Sequence, residues 1–141
     1  AHANDLPLVA VPTLDIVAAA IPAFEGELIA VLQAGRKRIC AQRYQWAKDG
    51  WRAQEQAVIT TWEKQLAAIM RETLIAGEIG EAGWVALDAS ERPVRIAPGA
   101  SALRRAGFLA EIAWARIETD DVDDPATVTP IYLHQPGVPH P

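Results

Sequence analysis

The chain has 141 residues, 50% of them hydrophobic, with a formal net charge of -5 and a pI near 5.1. This is the size of one domain with a real core, and the acidic balance excludes a surface that holds nucleic acid unaided, because that affinity depends on Lys and Arg neutralising phosphates. Cys40 is the only cysteine, which excludes an intrachain disulfide and fits a reducing, cytoplasmic compartment.

Ala1 to Asp5 reads as the end of a helix cut short, so the chain is expected to be a fragment. Leu8 to Val11, closed by Pro12, predicts a buried strand. Thr13 is placed to cap a helix whose Leu14, Val17, Ala18 and Ile21 form one apolar stripe before Pro22. Leu28 to Leu32 is apolar throughout, as in a strand covered on both faces. Arg38 to Trp46 and Trp51 to Ile59, joined by the Asp49-Gly50 turn, complete a three-strand meander with Ala53, Glu55 and Ala57 on one face. Trp46 and Trp51 flank that turn and are placed to pair across it.

Thr60 and Glu63 have capping-box spacing ahead of a helix with Trp62, Leu66, Ile69 and Met70 on one face. Thr73 to Ala76 predicts a buried strand ending at Gly77, with Gly80 and Gly83 extending the loop after it. Val94 to Ala97 is a short strand between prolines. Ser101 is placed to cap a long helix with Ala102, Ala106, Leu109, Ala110, Ala113 and Ile117 on one face. Residues 120–141 begin acidic and hold five of the ten prolines, so an extended tail is expected. The fold class is α/β with a mixed sheet, since a meander requires antiparallel neighbours and helical crossovers favour parallel ones. The whole span, 1–141, is read as one domain.

Few residues offer chemistry. His2, His134 and His140 are the only imidazoles and lack the i, i+4 spacing of helical metal ligands. Cys40 sits in a strand with no histidine near it in sequence, where a lone cysteine reads as a small hydrophobe. Ser90 and Ser101 are outside any nucleophile elbow. Gly77-Glu78-Ile79-Gly80 follows a strand, where α/β folds place ligand-facing loops, but it lacks the lysine and glycine pattern of a phosphate cradle, so a plain turn is preferred. Arg36, Lys37, Arg38 and Arg43 form a basic cluster at a hairpin, read first as a solvated edge and second as a docking site. Asp120, Asp121, Asp123 and Asp124 lack the spacing of a calcium loop. Catalytic, cofactor and metal residues are therefore each expected to be none. No apolar run reaches the ~20 residues needed to span a bilayer, and no signal peptide is apparent, so a soluble protein is expected.

The segment Asp123-Asp124-Pro125-Ala126-Thr127-Val128-Thr129-Pro130-Ile131-Tyr132-Leu133-His134 resembles the C-terminal signature of the TsaB (YeaZ) family. Leu8-Val9-Ala10-Val11-Pro12-Thr13-Leu14-Asp15 is similar to that family's strand leading into a Ser or Thr, Leu and helix, and Gly107-Phe108-Leu109-Ala110 to its final helix. Meander, helix, strand and helix is also the repeating half of the actin, hexokinase and Hsp70 superfamily, ribonuclease H-like in fold, to which TsaB belongs. The resemblance covers this chain but only the second lobe of a full family member. One segment departs: Gln33-Ala34-Gly35-Arg36-Lys37-Arg38-Ile39-Cys40 stands where the family usually carries Asp-Ala-Arg and then Glu-Val-Tyr, and His134 stands where arginine is common.

The resemblance implies a non-catalytic subunit of the machinery that makes threonylcarbamoyladenosine on tRNA, supporting the catalytic TsaD subunit mainly through a first lobe. A TsaE-like ATPase and a second copy of the chain are further partners it allows. The paired-histidine metal motif of TsaD has no counterpart here. The competing expectation, carried by the family's glycoprotease and peptidase label, is a small hydrolase or transferase acting alone.

Overall fold

The computed structural model describes residues 6–131 and 133. The helix end read over Ala1–Asp5, and Tyr132 and the tail from His134 onward, lie outside them. A six-stranded sheet runs in the order β3-β2-β1-β5-β6, with β4 also paired to β2. The strands are β1 (Glu27–Gln33), β2 (Arg38–Ala47), β3 (Gly50–Ala53), β4 (Val58–Thr61), β5 (Thr73–Gly77) and β6 (Val94–Ile96). The helices are α1 (Thr13–Ala19), α2 (Trp62–Ala67), α3 (Glu81–Asp88) and α4 (Ala106–Glu118). β1 is antiparallel to β2 and parallel to β5, which is parallel to β6, so the sheet is mixed as its connections require. The fold is therefore α/β with a mixed sheet, as expected.

Strand alternation divides the core. Leu28 and Ala30 of β1 face α1 together with Tyr44 and Ala76, where they meet Leu14, Val17, Ala18 and Ile21. Ile29 and Val31 face the other side with Ile39, Ala41 and Ile75, under Trp62, Leu66 and Ile69. The unbroken apolar run of β1 follows from this double cover.

Several expectations are corrected. Leu8–Val11 is not a sheet strand; only Leu8 pairs, in an isolated antiparallel bridge to Asp123. Pro7 and Pro12 leave four N–H groups between them, too few for a sustained ladder. The third meander strand is broken into β3 and β4, because residues 54–57 oppose only 42–43 of β2. This bulge is pinned by Gln42 Nε2 donating to the Glu55 carbonyl at 2.9 Å and by Arg43 Nε lying 3.3 Å from Glu55 Oε1.

Pro12, not Thr13, holds the N-cap of α1, and Thr61, not Thr60, caps α2, accepting from Lys64 N at 3.4 Å. That helix ends at Ala67, so Met70 points into solvent. The stretch read as a Gly80–Gly83 loop contains the start of α3, with Gly80 at its N-cap. Gly83 is inside that helix because a Cβ there would stand 2.6 Å from Trp62 Cε2; the glycine permits the helices to close on each other. Ser101 caps nothing: it lies in a 3-10 turn, Gly99–Ala102, and Arg105 is the N-cap of α4.

Candidate functional site

The carboxyl ends of the parallel strands β1 and β5 are where an α/β sheet presents ligands. Gly77 adopts φ 116°, and any Cβ there would strike the Val31 carbonyl. Glu78 N donates to that carbonyl at 2.9 Å, and the Glu78 carboxylate accepts Gln33 N–H at 3.2 Å and pairs with Arg104 at 2.8 Å. The Gln33 amide fills the space a side chain at Gly80 would take. The loop thus uses its polar groups on one another, and Glu78 and Glu81 put negative charge at the start of α3. A phosphate approaching here meets two carboxylates, which favours the plain-turn reading.

The other chemistry-bearing residues are dispersed. Cys40 is half-buried in β2, and burial pushes its thiol up, away from the reactive thiolate. Ser90 Oγ accepts Arg92 N–H at 3.2 Å. Tyr44 donates its hydroxyl to Asp15 at 2.6 Å, and burial first, then that bond, push its ionisation far up. The four-residue basic cluster is split. Arg43 pairs with the buried Glu27 at 2.7 Å, and Arg71 joins from the other side at 3.0 Å. Arg36 and Lys37 remain at the hairpin, where Gly35, Arg36 and Lys37 all take positive φ (69°, 52° and 61°).

The acidic turn is a clasp. Asp121 and Asp123 both reach Arg116, at 2.8 and 3.3 Å, and Arg116 Nη1 donates to the Ala10 carbonyl at 2.8 Å. Asp123 also accepts Ala10 N–H at 2.7 Å, while its own N–H donates to Leu8. Arg116 holds the Asp121 carboxyl below its usual range. Asp124 closes the following turn, accepting Ala126 N–H at 2.8 Å. No group of three or more potential metal ligands occurs among the described residues. His2, His134 and His140 lie outside them, and no described helix is long and apolar enough to cross a membrane.

The remaining candidates are surfaces. Trp46 and Trp51 pair edge to face at 5.4 Å across their hairpin, and Trp62 is buried, but Trp84 and Trp114 are exposed. Trp84 is on α3, a helix whose Glu81, Val85 and Ala86 line an open groove of about 750 Å³ together with Leu66 and the charged Lys37, Glu63 and Arg92; Trp84 itself does not line it. Trp114 is on α4, a helix with no fully buried residue. Exposed aromatic side chains are enriched in protein contacts. The sequence reading missed the Gln33–Glu78–Arg104 cluster, the groove and the clasp, because each joins residues distant in the chain. The tryptophan count, and the basic hairpin cluster in its second reading as a docking site, were the signals of contact surface in the sequence.

No protein-family model matches the chain, and no curated protein matches it. Solved structures do. An uncharacterized protein with similarity to peptidase YEAZ from Pseudomonas aeruginosa superposes at TM-score 0.69 and 19% identity, over 94% of this chain and 62% of its own. YeaZ from Pseudomonas aeruginosa superposes at TM-score 0.67 and 20% identity, over 93% of this chain and 62% of its own. The likeness is one of fold, and the chain spans less than two thirds of either structure.

Proposed function

We propose that the chain is a lobe of a TsaB-like protein: a non-catalytic support for a TsaD-like catalytic subunit during transfer of threonylcarbamoyl to adenosine in tRNA. The observation that carries this reading is the likeness to YeaZ over 93% of the chain. The tail signature is consistent with it in a physical way, since Asp123 of that signature ties the start of the lobe to its last helix. The peptidase alternative draws less support. Burial pushes the Cys40 thiol up, away from the thiolate a nucleophile needs, and Ser90 and Ser101 have local structural roles or none.

In the TsaB resemblance the main TsaD contact belongs to the first lobe, and this chain matches 62% of YeaZ. The lobe therefore acts as scaffold. The test is capture of a purified TsaD-like subunit by two baits, this chain and a two-lobed YeaZ-type protein. Capture by the two-lobed bait alone supports the reading, and equal capture by both counts against it. Peptidase activity abolished by Cys40→Ala would establish the alternative instead.

A further inference from the structure

We infer that Met70 is a site of reversible oxidation by peroxides, and that Arg92 is placed to hold the oxygen of its sulfoxide. Met70 is the only methionine of the chain and is 80% exposed. It has no route inward: Ile69 before it is fully buried, and Arg71 after it pairs with the buried Glu27 at 3.0 Å, which fixes the backbone on both sides. A methionine in a core is shielded from peroxide, and this one is open to it. The neighbour makes the position specific. Arg92 donates through Nη1 to the Ile69 carbonyl at 3.3 Å and reaches Met70 Sδ at 3.7 Å. Both contacts are long, a thioether sulfur is a weak acceptor, and Arg92 makes no ion pair among the described residues.

An S–O bond of about 1.5 Å and an O···N hydrogen bond of about 2.8 Å, meeting at an angle of about 115°, span the 3.7 Å that already separates Sδ from Nη1. The oxygen therefore enters with neither side chain moved. Oxidation ordinarily harms a protein by putting a polar group into its core; here it adds a charge-assisted hydrogen bond at the surface. In the step, a sulfur lone pair attacks one oxygen of hydrogen peroxide, the O–O bond breaks as the S–O bond forms, and the other oxygen leaves as water after proton transfer. Sulfur loses two electrons and the peroxide gains them. A sulfoxide reductase reverses the change, two thiols becoming a disulfide as the oxygen leaves as water. Arg92 also lines the groove with Lys37, Glu63 and Glu81, so the oxidised side chain ties down one wall of it.

Hydrogen peroxide treatment of the native chain, read by peptide mass and thermal melting, tests this. The expected result is one added oxygen on Met70, gained within about threefold of the rate for free methionine and removed by a methionine sulfoxide reductase. The melting temperature rises by about 1–3 °C on oxidation, and Arg92→Leu abolishes the rise. Met70→Gln sets a carbonyl oxygen near the same place without oxidation and gives a shift of the same sign, so the test survives a failure of Arg92→Leu to fold. Oxidation of Met70 slowed by roughly tenfold or more overturns the site, as does reaction at the half-buried Cys40 ahead of it. A melting temperature lowered by oxidation or by Met70→Gln, or a rise that persists in Arg92→Leu, overturns the role of Arg92. The inference is independent of the supporting role: failure to capture a TsaD-like subunit leaves it standing, and an inert Met70 leaves that role standing.

Discussion

Helices α1 and α4 lie on the same side of the sheet and are both rich in alanine and branched apolar residues, yet they are used in opposite ways. α1 inserts Leu14, Val17, Ala18 and Ile21 into the core, with Val17 fully buried. α4 is longer, at 13 residues, and buries none of them completely. It is fastened at one end by the Arg116 clasp and along one side by half-buried Phe108, Ile112 and Ile117, leaving Ala110 and Trp114 outside. Apolar periodicity announces that a helix has a face to cover; it does not announce what covers it.

The largest expected effect separates core from surface. Ile75→Ala, at a fully buried strand position, lowers unfolding stability by about 2–5 kcal/mol in denaturant titration. Trp114→Ala in the same assay, at an exposed position, changes it by less than about 0.5 kcal/mol. A loss at Trp114 as large as that at Ile75 would erase the distinction between the two helices.

Next in size is the polar tie between α1 and the sheet. Tyr44→Phe leaves Asp15 without its buried donor and destabilises by about 1–2 kcal/mol, with little change in the exposure of α4. Thermal melts measure the loss, and an unchanged melting temperature would show that Asp15 is satisfied by solvent.

The α4 clasp responds to pH. Asp121 has a folded-state pKa below its unfolded value because Arg116 bonds its charged form. Its contribution is complete above the ordinary aspartate value of about 3.9 and is lost as pH falls through the lowered folded value. Amide exchange at the end of α4 should quicken in that acid window while β1 stays protected. Asp121→Asn should abolish the pH dependence.

The smallest effect has the opposite sign. Lys37→Gly relieves a side chain held at φ 61° and should raise stability by about 0.5 kcal/mol, read as a shift in the denaturant midpoint. A decrease would mean that Lys37, at the rim of the α3 groove, makes contacts that outweigh its backbone strain.

What could be read from the residues alone follows the range of the interactions. β1 was legible because its covered faces leave an unbroken apolar run, and the β2–β3 hairpin because Asp49-Gly50 encodes its own turn. α3 was not, because Gly83 signals a loop locally and makes sense only against Trp62 of another helix. The break between β3 and β4 depends on Gln42 and Arg43 reaching across to Glu55. Within the candidate surfaces, the tryptophan count raised the question, but which rings were exposed depended on packing: Trp62 closes on Gly83 while Trp114 meets nothing comparable.

Hydrogen exchange in dilute solution tests the contrast between the two helices most directly. The account predicts that α1 amides, whose helix inserts into the core, exchange slowly and that those of α4, a helix with no fully buried residue, exchange faster. Equal protection of α4 and α1 in dilute solution would contradict it.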